Sequence, residues 1–223
     1  MKPDLDKIIE SRALPADPSK PRDESRRILL RNTAVGLIAG LAGVFLPGVS
    51  RSFAADNSSR KILIAYYSRS GNTRELANQI HQQVGGDMFE LKTVHSYPKE
   101  YRATTDQAKR EQEANFRPQL TAEVQNMGAY DTVFVGYPNW WGTLPMAFFS
   151  FFEKYDFSGK TLIPFSTHEG SYFGRSVEDI RRLCPNSKVL EGIALRGGNN
   201  STVRSDSSRR EVTEWLRKLG MTT

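Results

Sequence analysis

Short apolar segments alternate with segments of helical periodicity from residue 60 onward, and this alternation restricts the possible folds more than any other feature. Strands are predicted over residues 61–67, 88–94, 131–138, 160–167 and 187–195. Helices are predicted over residues 73–84, 145–155, 176–184 and 207–220. Strands that alternate with helices form parallel sheets covered on both faces. The sequence therefore predicts one α/β domain over residues 55–223, with five strands and helices on both faces of the sheet.

The structure of one segment is not decided by this alternation of strands and helices. Residues 95–118 are polar, have helical propensity and lie between the second and third predicted strands. The pattern is compatible with a surface helix or with an insertion at this place.

The first 54 residues differ in character from the domain. Residues 1–24 are polar and Pro-rich and are predicted to be unstructured. They are followed by Arg26 and Arg27, by an uncharged stretch over 32–50, and by small residues around Ala54. This order resembles a twin-arginine export signal. It implies the twin-arginine machinery as a partner and a periplasmic or other extracytoplasmic location for the domain.

An uncleaved signal is the alternative. The uncharged stretch over residues 32–50 lies within the length of about 17–25 residues that spans a bilayer. In that case the domain stays anchored to the membrane. If the signal is cleaved, contact with the membrane is only transient.

The charge of the domain argues against a nucleic-acid partner. The chain has 31 Lys and Arg against 25 Asp and Glu residues. Nine of the former and six of the latter lie in the first 54 positions, so the remainder carries a formal charge of +3. A nucleic-acid surface needs clustered basic residues. Because Cys184 is the single cysteine, the domain must be stabilised by its core and not by an internal disulfide.

The first predicted strand ends in a loop rich in hydroxyl and glycine residues. Residues 68–73 read Ser-Arg-Ser-Gly-Asn-Thr and lead directly into the first predicted helix. Gly71 permits close backbone approach, and the helix N-terminus favours an anion. The loop suits a terminal phosphate, although an ordinary turn that caps the helix is an alternative. Walker and Gly-x-Gly-x-x-Gly patterns do not occur here, which argues against ATP and dinucleotides.

Two further loops follow the third and fourth predicted strands. Residues 136–145 read Gly-Tyr-Pro-Asn-Trp-Trp-Gly-Thr-Leu-Pro, and residues 166–176 read Ser-Thr-His-Glu-Gly-Ser-Tyr-Phe-Gly-Arg-Ser. Because exposed indoles are costly, Trp140 and Trp141 are expected to cover a flat ligand unless they pack on the protein's own core. Loops that follow parallel strands emerge at one edge of the sheet. Together the three loops predict a site for a ring-bearing monophosphate.

The segments "YYSRSGNT", "VFVGYPNWWGTLP" and "STHEGSYFGRS", in this order and spacing, resemble the flavodoxin family over most of residues 60–220. The resemblance implies a doubly wound sheet of order 2-1-3-4-5 that binds FMN non-covalently. The first loop would hold the phosphate, the second would place Trp140 or Trp141 on the isoalloxazine ring, and the third would close the other side. The cofactor-binding residues that it implies are Ser68, Arg69, Ser70, Gly71, Asn72, Thr73, Pro138, Asn139, Trp140, Trp141, Gly142, Thr167, His168, Glu169, Gly170, Ser171 and Gly174.

Three functions are compatible with this interpretation. The first is an exported electron carrier that exchanges electrons with a redox partner protein or a small acceptor and has no catalytic or metal-binding residues of its own. The second is an FMN-dependent NAD(P)H:quinone-type oxidoreductase, and the third is a cofactor-free binding module. His168 could relay a proton, or it could simply hydrogen-bond to nearby backbone.

Overall fold

The computed structural model describes residues 60–222, and its strands pair as predicted. The strands are β1 Ile62–Tyr66, β2 Asp87–Glu90, β3 Thr132–Pro138, β4 Thr161–His168, β5 Lys188–Val189 and β6 Ile193–Arg196. The α-helices are α1 Asn72–Val84, α2 Tyr101–Glu113, α3 Met146–Lys154, α4 Ser176–Leu183 and α5 Asp206–Lys218. Every pairing among these six strands is parallel, in the order β2-β1-β3-β4-β5, and β6 also pairs with β4. The α/β class and the order 2-1-3-4-5 are confirmed.

The core consists of two layers, one on each face of the sheet. Leu76 of α1 and Leu216 of α5 pack with Ile64, Phe134 and Phe165 on one face. The other layer contains Phe148 and Phe151 of α3, Ile180 of α4, and Leu63 and Val133 from the sheet. Both faces of the central strands are therefore buried, which explains why their sequences are apolar without strict alternation.

The last predicted strand is interrupted. β4 pairs Leu162 with Val189 but Phe165 with Ile193, so the last strand holds one extra residue and is split into β5 and β6. The Leu162 carbonyl accepts the Leu190 amide, and Pro164 faces the same side two residues later but has no N–H to donate. The prediction of one continuous strand over 187–195 was wrong because this proline imposes a bulge.

The second predicted strand is shorter than expected. β2 ends at Glu90, and residues 92–94 pair instead with residues 119–121 in the antiparallel sense. The segment between these two short stretches contains α2. Its N-cap is Glu100, whose carboxylate accepts the amides of Arg102 and Ala103 at 2.9 and 2.6 Å. Residues 95–118 therefore form an insertion that contains a surface helix.

The predicted export signal lies outside the described residues. Within residues 60–222, no helix combines the length and the hydropathy needed to cross a bilayer.

We expect Gly136→Ala to destabilise the domain by about 1–3 kcal/mol, because a Cβ at this position overpacks the core. That Cβ would lie 2.0 Å from the ring of Phe165 in the neighbouring strand. Gly128→Ala is the matched control, because its Cβ meets its nearest atom at 3.9 Å. Urea unfolding of both variants measures the difference. Equal midpoints for Gly136→Ala and the wild type would contradict the packing of Phe165 over this strand.

Candidate cofactor site

The loops after β1, β3 and β4 surround a cleft of about 510 Å³ at the carboxyl edge of the sheet. Its volume lies within the range of about 300–1,000 Å³ that is usual for small-molecule sites. The predicted residues that line the cleft are Arg69, Ser70, Asn72, Thr73, Pro138, Asn139, Trp140, Thr167, His168, Glu169 and Ser171. The predicted residues that do not line it are Ser68, Gly71, Trp141, Gly142, Gly170 and Gly174. The three loops thus converge as the sequence predicts.

The loop after β1 leaves backbone amides available to an anion. Gly71, the N-cap of α1, has φ of 88° and no side chain that could cap the helix. The first amides of a helix have no intrahelical acceptor. Ser68 Oγ accepts the amide of Arg74 at 3.2 Å and so fixes the entry of the chain into α1. This geometry suits a phosphate at the start of α1.

Two side chains of this loop tie it to the rest of the edge. Thr73 Oγ1 lies 2.8 Å from Thr167 Oγ1 at the end of β4, and both residues are buried. Asn72 Nδ2 donates to the Gly198 carbonyl at 3.2 Å, in the turn that follows β6. These bonds hold the loop after β1 in register with the end of β4.

Arg69 takes a different direction from its neighbours. Its Nη2 donates to the Lys99 carbonyl at 2.8 Å, and its Nε donates to Thr104 Oγ1 at 3.3 Å. Its guanidinium also lies 5.5 Å from the ring centroid of Tyr101. Arg69 therefore fastens the insertion to the loop and forms a wall of the cleft.

The two adjacent tryptophans have different positions. Trp140 and Thr143 exchange backbone hydrogen bonds of 2.9 and 3.1 Å, with Trp141 and Gly142 at the tip of the turn. The tip residues have φ of 51° and 81°, as a type I′ turn requires. Trp140 lines the cleft. Trp141 is 49% exposed, and its Nε1 donates to the Thr105 carbonyl of α2 at 2.8 Å.

The second and third loops touch through their backbones. The Gly142 carbonyl accepts the amide of Arg175 at 2.8 Å. A Cβ on Gly174 would lie 2.3 Å from that carbonyl oxygen, so glycine at this position permits the close approach. Gly142 and Gly174 therefore shape the site without lining it.

Two buried polar atoms at the cleft have no hydrogen-bond partner within the described part of the chain: His168 Nε2 and Asn139 Oδ1. His168 is the last residue of β4 and is 6% exposed, and its Nδ1 accepts the Gly170 amide at 2.9 Å. Nε2 consequently carries the proton of the neutral ring, with the Ala194 carbonyl near the imidazole but outside hydrogen-bond geometry. Asn139 Nδ2 donates to the Tyr172 carbonyl at 2.8 Å, which leaves Oδ1 as a free acceptor. This free donor and free acceptor suit a ligand that carries an acceptor and a donor on one edge, such as the pyrimidine edge of a flavin.

The sequence missed six residues that line the cleft: Lys99, Tyr101, Thr104, Thr105, Gly198 and Asn199. Gly198 and Asn199 belong to a Gly-Gly-Asn-Asn turn after the last strand. This turn pattern could have indicated a fourth loop at the same edge of the sheet. The other four come from the insertion. The spacing of Tyr101, Thr104 and Thr105 is that of one helix face, but no pattern indicated that this face covers the site.

Comparisons with known proteins are consistent with this geometry. A family model described as Flavodoxin matches residues 61–219. A Bacteroides eggerthii protein described as a flavoprotein is 30% identical, with a TM-score of 0.61, and the match covers 71% of this chain and 96% of that one. A Bacteroides uniformis protein, also described as a flavoprotein, is 27% identical, with a TM-score of 0.62 and coverage of 71% and 99%. No curated protein sequence gives a significant match.

A Lactobacillus acidophilus flavoprotein, whose crystal structure was determined in complex with FMN, is similar in fold. It is 21% identical, with a TM-score of 0.55, and the match covers 60% of this chain and 93% of that one.

We expect the stability of the domain to depend on His168 at mildly acidic pH. Burial lowers the pKa of His168 from its ordinary value of 6.5, the Ala194 carbonyl opposes this effect, and the Arg196 charge adds to it. As pH falls below 6.5, His168 therefore binds a proton in the unfolded chain before it does so in the folded one. The free energy of unfolding decreases from about this pH down to the lower pKa of His168 in the folded state.

The test compares unfolding free energies from pH 7.5 to 5 for the wild type, His168→Gln and His95→Gln. His95 is exposed, so its variant should follow the wild type. His168→Gln should show a flatter decline with falling pH. Parallel curves for all three proteins would contradict a buried neutral imidazole.

Proposed function

Because the chain belongs to the flavodoxin family, we propose that it is an exported electron carrier that holds FMN in the cleft. Family membership supports FMN as the cofactor and electron transfer as the general role. One observation of this structure carries the proposal further. The N-terminus of α1 and the residue Trp140 lie at the same cleft, together with a donor and an acceptor that have no hydrogen-bond partner among residues 60–222.

The residues of the three loops have separable roles in holding the cofactor. The amides at the start of α1 and the hydroxyl groups of Ser70 and Thr73 would bind the phosphate. Trp140 would cover one face of the ring, while Asn139 and His168 would hydrogen-bond to its polar edge. When bound, FMN supplies the redox chemistry, and the protein orients the ring and limits its contact with water.

The surface around the cleft supports a carrier that docks with a partner. Within the described residues, the exposed large apolar side chains are Val94, Tyr101, Trp141 and Tyr172. Each lies at the cleft, at the groove beside Arg69, or in contact with a residue that lines the cleft. Of the exposed cations, Lys99 lies at the cleft, and Lys109 lies 5.4 Å from the ring centroid of Trp141. Aromatic and cationic groups around a cofactor suit a transient interface with an acidic redox partner.

We expect the apoprotein to bind FMN at least about tenfold more tightly than riboflavin, because only FMN places an anion at the N-terminus of α1. Titration with each ligand, followed by quenching of flavin fluorescence, measures both affinities. Trp140→Phe should weaken the quenching strongly, whereas Trp141→Phe, which changes the indole held against α2, should preserve it. Protein that stays colourless with excess FMN and quenches no fluorescence would refute the proposal.

The same FMN-loaded protein distinguishes a carrier from a reductase. A carrier should oxidise NADH and NADPH no faster than free FMN does at the same concentration. Sustained oxidation well above that rate would assign the reductase function instead.

Export is proposed from residues that lie outside the described range. Replacing Arg26 and Arg27 together by lysine should abolish accumulation of the protein outside the cytoplasm, because the arginine pair is the feature on which the twin-arginine resemblance depends. Arg12→Lys, upstream of the pair, is the matched control and should leave export intact. Cell fractionation and immunoblotting measure the distribution. Normal export of the double variant would exclude this route, and a membrane-bound wild type would identify an uncleaved signal.

A further inference from the structure

A buried carboxylate lies behind the candidate site. Glu111, on the inner face of α2, is 2% exposed. Its Oε1 accepts Gln107 Nε2 at 2.9 Å, and its Oε2 accepts the hydroxyl of Tyr97. Burying a carboxylate is costly, and an apolar side chain of similar volume is often as stable or more so. The position of Glu111 therefore calls for a role other than filling the core.

Tyr97 links this carboxylate to the cleft. The rings of Tyr97 and Trp140 have centroids 5.0 Å apart at an interplanar angle of 72°. Tyr67, at the end of β1, approaches Trp140 at 5.4 Å and 74°, and it approaches Tyr97 at 6.0 Å. Trp140 thus packs against two rings in near-perpendicular contacts, and one of these rings has its polar end fixed by Glu111.

We propose that Glu111 acts through Tyr97 as a positioning residue that sets the orientation of the Trp140 indole in the cofactor cleft. The inference rests on the proposed binding of FMN there. A Trp ring turns about two side-chain torsions, so it needs neighbours that allow only one orientation. The hydroxyl bond to Glu111 fixes Tyr97 in the place from which it supports Trp140.

The protonation states fit this arrangement. Burial raises the pKa of Tyr97 well above its ordinary value, so its hydroxyl keeps the proton that it donates to Glu111. The pKa of Glu111 is raised, because the effect of burial exceeds the opposing effects of the hydrogen bonds from Tyr97 and Gln107 and of the Arg110 charge. After burial, the Glu111 charge is the next cause that raises the pKa of Tyr67.

Other contacts attach α2 to the domain. Arg69 bonds to Thr104, and Trp141 donates to the Thr105 carbonyl. Because these contacts do not involve Glu111, variants at Glu111 and Tyr97 are expected to keep α2 in place. An effect on Trp140 can then be separated from an effect on the fold.

The experiment is a double-mutant cycle with two readouts. Tyr97→Phe, Glu111→Met and the double variant are prepared in the wild type and in a Trp140→Phe background. The near-ultraviolet circular dichroism of each apoprotein reports the fixed orientation of Trp140, as the difference between the two backgrounds. Fluorescence titration gives the dissociation constant for FMN. Glu113→Gln is the control on the same helix, because that carboxylate is exposed and should change neither readout.

We expect Tyr97→Phe and Glu111→Met each to reduce the Trp140 dichroism and to weaken FMN binding about threefold to tenfold, the size of one aromatic contact. The double variant should be no worse than either single variant, because both changes break the same link. Neither change should affect FMN binding further in the Trp140→Phe background.

Equal weakening of FMN binding in both backgrounds would overturn the proposal, because the effect would then bypass Trp140. Unchanged dichroism in apo Tyr97→Phe would overturn it as well. If Glu111→Met does not fold, Tyr97→Phe decides the matter alone, since it removes one hydroxyl and keeps the ring. If the wild type binds no FMN, the proposed function fails, and loss of the Trp140 dichroism in the apo variants would still support the positioning role.

Discussion

The parallel pairing of β1, β3 and β4 is the constraint on which the site depends. Parallel strands direct the loops that follow them to one edge, so three segments distant in sequence meet there without any further device. α1 and α5 pack on one face, and α3 and α4 on the other. The chain therefore leaves β1 and β3 towards opposite faces, and the crevice between these two exits is where ligands bind in open α/β sheets, flavodoxins included.

The sequence predicted what depends on local chemistry. The apolar segments predicted the sheet that the structure shows, and the run from Ser68 to Thr73 predicts an anion site. Which of Trp140 and Trp141 lines the cleft could not be predicted, because it depends on a positive φ at Trp141, which residues other than glycine rarely adopt. The link between Tyr97 and Glu111 was likewise invisible, because it joins the two ends of an insertion whose structure the pattern left open. The bulge opposite Pro164, by contrast, had a signal, since proline within a strand is evidence of interrupted pairing.

The site contains energetically unfavourable features that a bound ligand could relieve. In the part of the chain that the structure describes, His168 Nε2 and Asn139 Oδ1 are buried without hydrogen-bond partners, and Trp141 has a left-handed conformation that costs of order 1–3 kcal/mol. Such features lower the stability of the apoprotein and are expected at functional sites more than elsewhere. A ligand that satisfies the two polar atoms stabilises the folded state by mass action, by about 2.7 kcal/mol at a concentration 100-fold above its dissociation constant.

The insertion connects the loops at this edge of the sheet through one helix, α2. Arg69 bonds through its guanidinium to α2 from the loop after β1, and Trp141 bonds through its indole N–H to α2 from the loop after β3. Within the insertion, the hydroxyl of Tyr97 bonds to Glu111 of α2 while its ring contacts Trp140. A movement of α2 would therefore reach the phosphate loop, the exposed rim and the ring of Trp140 together. A docking partner that contacts Tyr101 or Lys109 on the outside of α2 would thus act on the same element that supports Trp140 from behind. If a partner docks there, its contacts and the surroundings of the cofactor would be linked through one helix, because the rim and the wall of the cleft share it.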